Sequence, residues 1–512
     1  MKLITTALFA IILFVFNNST NAQGKNEDTL LTRPQKSITK SSVTIGGKLI
    51  NYEAIAGTLI LKNAKDTATC SMFYTAYFKA GEPDASKRPV TFIYNGGPGS
   101  ATLWLHIGAW GPQRVFANDT ARTMAPYRTV NNEYSLLDVS DLVFIDAPGA
   151  GFSRIVTKDK GGAGEPKDFY GIDPDANAFA AFILNFLNSY NRWNSPKYLF
   201  GESYGTFRSA VVANILEKKG VDINGVILLS QLLNYGNMSD AADMDPGNDL
   251  RYELALPTCA ATAWYHHKLS NQNISLEALV KEVEEFSLTE YAAALSKGSL
   301  LQGAEYNTIV TKLHNYTGLS EAFIRKANLR INGPQMEKNL LADDGELTGR
   351  LDTRFKGFDM DPLSKTPSYD PHGATFKAAF VGAFNNYLRT TLNYGKDVEY
   401  LPAGNGIINQ WDFRHLVTGS DFNRAMFANV MPDLAQAMIY NPKLKVQLNM
   451  SYFDLGTPYF EGIYEMHHLP MPVELQNNIS YNIYKSGHMV YLNLPSLKEL
   501  HDNVAKFISD SH

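Results

Sequence analysis

Tyr198, Leu199, Phe200, Gly201, Glu202, Ser203, Tyr204 and Gly205 form the stretch whose reading decides the fold. A short apolar run of β type leads into Gly-x-Ser-x-Gly. Beyond it, residues 207–218 carry Val211, Val212, Ile215 and Leu216 on one recurring helical face. Strand, serine in a tight turn, and helix make a nucleophile elbow. The hydroxyl must stand clear of the sheet, and flanking glycines relieve the crowding of so sharp a turn. A surface turn is the alternative, and it would not need the strand and helix on either side.

Working outward, residues 42–78 alternate and turn as antiparallel strands do, with Gly46 and Gly47 marking one tight turn. Residues 89–94 and 141–145 are unbroken apolar runs that end in glycine-rich segments, as central strands of a mostly parallel sheet would. A helix over 173–190, a strand over 197–200, the elbow helix and a strand over 225–229 complete a β-α-β rhythm. The rhythm then stops, and residues 234–369 read as mainly helical, with helices through 276–290 and 319–329. It resumes with a helix over 375–392, strands over 445–449 and 479–484, and a closing helix over 494–509. The expected architecture is an α/β-hydrolase fold: a mostly parallel sheet flanked by helices, in two parts, 42–233 and 370–512. A helical cap is inserted over 234–369.

The chain has 512 residues, a formal charge of −5 and no dense basic run, which speaks against nucleic acid or an anionic membrane surface as partner. Small or peptidic partners fit better. Lys2, an apolar stretch over 3–16 and the small polar end Thr20, Asn21, Ala22 predict a secretory signal peptide over 1–22, cut after Ala22. That stretch is short of the about 20 residues a membrane span needs. The expectation is a protein exported to the periplasm or beyond, without stable membrane insertion, beginning with a poorly ordered extension over 23–41. Cys70 and Cys259 allow one disulfide and require none. No metal or cofactor is expected. Adjacent His266 and His267 cannot easily face one ion from a helix, and Asp343, Asp344, Gly345 and Glu346 lack the full calcium-loop pattern.

A serine hydroxyl becomes a nucleophile only when a base takes its proton, and an acid must then orient that base. In α/β-hydrolases the order is Ser, acid, His, each on a loop after a strand. Asp454 and His488 fit as acid and base, following the strands that end near 449 and 484. Asp454 could instead be a turn or cap residue ahead of Pro458. By position His467, His468, His501 and His512 read as solvated.

Several separated motifs then resemble the serine carboxypeptidase family, peptidase S10. They are Asn95 to Ser100 with Gly111 and Pro112 downstream, Asp146 to Ser153, Gly201 to Gly205, and Gly487, His488, Met489. The resemblance implies that Gly97 and Tyr204 supply the oxyanion-hole N–H groups, and that Asn95, Gly96 and Glu202 grip a peptide's terminal carboxylate. One acid holds another only with a shared proton, so Glu202 would need a raised pKa and peptide hydrolysis would favour acidic pH. A Glu202 that merely packs or forms a salt bridge is the alternative.

Departures accompany the resemblance. The family's second glutamate is replaced by Ala109, followed by Trp110, which leaves the Trp110 indole, His106 or a cap group to substitute for it. Ser100 stands where the family has cysteine, and the family's several disulfides cannot form. The chain looks like a divergent bacterial-type member, and the resemblance also makes a homodimer conceivable. The expected function is an exported serine-type carboxypeptidase acting on peptides with a free C-terminus. The rivals are an esterase or acyltransferase with the same triad, and a catalytically silent binding protein on the same scaffold.

Overall fold

The computed structural model describes residues 31–117, 122–240, 245–420, 424–425 and 428–511, so the expected signal peptide and His512 lie outside the described residues. Three antiparallel strands open the chain: β1 (Lys36–Ile45), β2 (Lys48–Lys62) and β3 (Ala68–Lys79). Then come β4 (Val90–Tyr94), β5 (Asp141–Ile145), β6 (Lys197–Glu202), β7 (Gly225–Leu229), β8 (Lys445–Ser451) and β9 (Ile479–Tyr484). The sheet order is β1-β2-β3-β5-β4-β6-β7-β8-β9, and β4 to β9 are mutually parallel. Every position of β4, β5, β6 and β7 is buried, which explains why these strands read as continuous rather than alternating apolar runs.

Helices cover both faces. Gly201 backs onto α2 (Tyr204–Lys218), which lies between α1 (Ile172–Tyr190) and a late helix over Met431–Tyr440. Side chains one residue out of step in β6 face the other way. There the Tyr198 hydroxyl donates to the Ile508 carbonyl of the closing helix, Leu494–Asp510, and Phe200 meets Trp110 edge-on.

Among the described residues the first strand begins at Lys36, inside the segment expected to be poorly ordered. Lys36, Ser37, Thr39, Lys40 and Ser41 carry no apolar stripe because β1 is the sheet's edge, half open to solvent, and lysines there discourage pairing with another chain. Cys70 in β3 and Cys259 in the cap segment are both buried and free.

Between β7 and β8 the chain builds a second hydrophobic cluster. It draws on α3 (Leu250–Tyr265), α4 (Leu276–Phe286), α5 (Gly303–Thr317), α6 (Glu321–Lys326) and α7 (Gly333–Asn339). All its buried members fall within 256–341 except Leu455. Leu254 and Ala261 of α3 and Leu276 and Val280 of α4 belong to the main core instead, so these two helices bridge the clusters. The α8 helix (Pro371–Thr390) then returns to the main core, followed by α9, the Met431–Tyr440 helix, α10 (Tyr459–His467) and α11, the closing helix. No helix among the described residues is long and apolar enough to cross a membrane.

Candidate active site

Parallel register brings the carboxyl ends of the central strands to one edge: Tyr94 pairs with Gly201, Glu202 with Leu229, Leu229 with Asn449, and Asn449 with Asn482. The loops leaving that edge carry Asn95, Ser203, Asp454 and His488, so residues far apart in sequence meet at the sheet's carboxyl rim. Ser203 sits at φ 60° and ψ −132°, a strained conformation for a residue with a side chain. It is half-buried while its neighbours Glu202 and Tyr204 are buried, as an elbow requires.

His488 Nδ1 lies 2.7 Å from Asp454 Oδ2. The other oxygen, Oδ1, accepts from the backbone N–H groups of Gly456 at 3.0 Å and Thr457 at 3.1 Å, and the Thr457 hydroxyl donates to Oδ2 at 2.6 Å. One oxygen thus serves the turn and the other faces the imidazole. Burial disfavours a charged His488, but the Asp454 carboxylate outweighs it by charge and hydrogen bond, with Glu202 adding to the effect, and the imidazole's pKa is raised. Among the described residues no hydrogen bond joins Ser203 to His488, and such bonds often close only around substrate.

Part of the cap segment threads between the two loops. The Leu351 carbonyl accepts from His488 N at 2.6 Å, the Arg350 carbonyl accepts from Leu455 N at 3.1 Å, and Thr353 N donates to the Phe453 carbonyl at 2.9 Å. Arg350 itself is occupied by Asp240, through its Nε at 2.5 Å. This strap escaped the sequence reading, since its hydrogen bonds are made by backbone atoms and the glycines its side chains lie against, Gly456 and Gly487, are over a hundred residues away.

Asn95, Gly96 and Glu202 come together. Gly96 packs so closely on the elbow that a Cβ there would lie 2.4 Å from Tyr204 N. Gly97 follows in the same turn, and neither Gly97 N nor Tyr204 N donates a backbone hydrogen bond among the described residues. The Asn95 amide accepts from Leu105 N at 3.2 Å and donates to Glu202 Oε2 at 3.0 Å. Beneath, Arg208 holds the Asn95 carbonyl at 2.8 Å while pairing in bidentate fashion with buried Asp175 of α1. The Asp146 motif braces the same loop from the side, where its Oδ1 accepts from Thr102 N and Oγ1, both at 2.8 Å.

Burial pushes the Glu202 carboxyl up to about 7, against the nearby His488 charge and the hydrogen bonds from Tyr491 and Asn95. The Tyr491 contact was missed: its hydroxyl donates to Glu202 Oε2 at 2.9 Å. Its only sequence signal was its place three residues after His488, where it reads as an ordinary core aromatic. Of the suggested substitutes for the glutamate missing at Ala109, neither the Trp110 indole nor His106 reaches Glu202 by a hydrogen bond among the described residues. Trp110 is fully buried with its indole N–H unpartnered among the described residues. His106 is turned into the sheet, with Nε2 at 2.6 Å from the Tyr77 hydroxyl and its ring stacked on Phe144. His501 is likewise buried, 3.3 Å from Asp138, because α11 lays that face on the core. No group of three or more His, Cys, Asp or Glu residues fit to hold a metal occurs among the described residues.

The comparisons accord with this geometry. The family model described as serine carboxypeptidase matches residues 48–331, more than half of the 512-residue chain. A Carboxypeptidase Y homolog of Arthroderma benhamiae is 31% identical over 169 residues, covering 33% of this chain and 30% of its own. Serine carboxypeptidase-like 33 of Arabidopsis thaliana is 22% identical over 209 residues, covering 40% and 38%. The matched part thus spans about a third of these curated relatives. The crystal structure of Kex1(delta)p, a prohormone-processing carboxypeptidase from Saccharomyces cerevisiae, shares the fold. It is 14% identical at a TM-score of 0.56, covering 90% of this chain and 91% of that one. On the family model, and with an α/β-hydrolase sheet and elbow around the matched motifs, the chain belongs to the serine carboxypeptidase family.

Proposed function

We propose that the protein is an exported serine carboxypeptidase that removes C-terminal residues from peptides. Ser203 attacks the scissile carbonyl, His488 takes the serine's proton and returns it to the leaving amine, and Asp454 holds the imidazole and balances its charge. The tetrahedral oxyanion is met by the backbone N–H groups of Gly97 and Tyr204, whose dipoles are fixed before reaction by the abutting turns. The acyl-enzyme then yields to water by the same steps in reverse. Asn95, Gly96 and Glu202 receive the substrate's terminal carboxylate, with Glu202 protonated so that it can donate. Export rests on the leader over residues 1–22.

The observation that carries the carboxypeptidase reading over the esterase one is the buried acid beside the elbow. A carboxyl raised to about 7 and organised by two donors has no role in cleaving a simple ester. The test offers an N-blocked peptide with a free C-terminal carboxylate, and the same peptide as its amide, to the wild type and to Ser203→Ala, with products read by mass spectrometry. Stepwise loss of C-terminal residues from the free acid alone, absent in the variant, is expected. Serine-dependent turnover of an ester with both peptides left intact would promote the esterase reading.

A further inference from the structure

Glu202 stands alone where an acid pair would share a proton. Its carboxyl is nonetheless not loosely held. Oε2 accepts from the Asn95 amide at 3.0 Å and from the Tyr491 hydroxyl at 2.9 Å, whereas Oε1 has no hydrogen-bond partner among the described residues and is not one of the fully enclosed polar atoms. The Asn95 amide cannot turn over, since its oxygen is committed to Leu105 N. The Tyr491 hydroxyl finds no acceptor besides Glu202 among the described residues, and burial keeps the phenol protonated. An oxygen that already accepts two hydrogen bonds is a poor place for a proton, because an O–H there would face two donors. The proton of neutral Glu202 is thereby directed to the other oxygen.

We propose that Tyr491 is a positioning residue for Glu202: by occupying Oε2 beside Asn95 it confines the carboxyl proton to Oε1, so that one acid presents a single fixed donor to a peptide's terminal carboxylate. The chain makes room for this next to the missing glutamate. Tyr491 lies so close to Gly108 that a Cβ there would be 2.5 Å from the ring's Cε2, so the ring occupies the space of a side chain at the position before Ala109. Absence of a side chain at 108 and a tyrosine at 491 thus belong to one arrangement. The inference rests on the carboxypeptidase reading and specifies how that site holds its substrate.

The titratable groups acting on Glu202 are His488 and Asp454, from the loops after β9 and β8, besides Tyr491 itself. His488 serves every substrate, whereas Glu202 serves only those with a terminal carboxylate. The informative quantity is therefore the ratio of kcat/KM for an N-blocked dipeptide with a free carboxylate to that for an N-blocked amino-acid ethyl ester, followed from pH 4 to 9. In the wild type this ratio falls as pH rises through about 7, where Glu202 loses its proton. Tyr491→Phe removes a donor that stabilises the ionised form, so the fall moves to higher pH. On the acid side the KM for the free acid rises about 5- to 10-fold, with kcat and ester turnover nearly unchanged.

Gly108→Ala, which displaces the Tyr491 ring, shifts the same quantities in the same direction, and Glu202→Gln abolishes the pH dependence of the ratio. Unchanged KM and midpoint in Tyr491→Phe would overturn the inference, as would a ratio that keeps its pH dependence in Glu202→Gln. Either result leaves the enzyme a carboxypeptidase, provided the wild type removes C-terminal residues in a Ser203-dependent way. Absence of that activity in the wild type removes the broader reading and this one with it.

Discussion

Asp454 shows how much one side chain settles. Its Oδ1 closes a turn through two backbone N–H groups and its Oδ2 receives the imidazole, so the turn aims the acid and the acid fixes the tautomer of His488. Asp454→Asn keeps the turn's acceptor but places an amide against Nδ1. We expect kcat to fall on the order of 10³- to 10⁴-fold with little change in thermal stability, read by single-turnover kinetics beside a melting curve. A loss of less than tenfold would remove Asp454 from the catalytic machinery. Legibility at this scale divided along physical lines. Ser203, Asp454 and His488 could be picked out because each sits in a loop directly after a strand, which is local information. Tyr491 could not, because its partner Glu202 is 289 residues away and nothing in its own neighbourhood distinguishes a hydroxyl that donates from a ring that packs.

Among the elements, the strands of the parallel sheet were the most legible, since burial on both faces leaves an unbroken apolar run. The α3 helix was not. It is buried on nearly every side, so it shows no amphipathic stripe, and Pro257 in its interior reads as a break. A second feature that the chain order conceals is the clamp between α1 and α9. His415 bonds Asp173 of α1 through Nδ1 at 2.6 Å and Asp433 of α9 through Nε2 at 2.9 Å. Burial opposes the charge, but the two carboxylates outweigh it and push the imidazole up to about 9. Its folded pKa lies above the unfolded value near 6.5, so this stabilisation is fully present below about pH 6.5 and is lost as pH rises through about 9. Urea unfolding from pH 6 to 10 will show that loss in the wild type. His415→Gln, less stable at pH 6, will lose less over the same range; parallel profiles would discount the clamp.

Among the described residues two hydrophobic clusters meet at the sheet's carboxyl rim. Leu455 packs into the second cluster while its backbone neighbour Asp454 holds His488, and the strap over 350–353 binds the loops of both. Loosening the cap should therefore disable the triad before the main sheet melts. Leu313→Ala, within the second cluster, is expected to weaken it by about 2–5 kcal/mol. Residual activity on a heating ramp will then fall several degrees ahead of the far-UV circular dichroism transition. Leu228→Ala, in β7 of the main core, should lower both together. Coincident curves in the Leu313 variant would show that the two clusters open as one.

The place of Leu455 also bears on how such a chain can diverge. Insertions over a sheet ordinarily drift freely, since they share little with the scaffold below. Here Leu455, the residue beside Asp454, is a member of the insertion's own interior. Substitutions across most of residues 256–341 can reshape the insertion, yet a socket for that one leucine must remain if Asp454 is to stay aimed at His488.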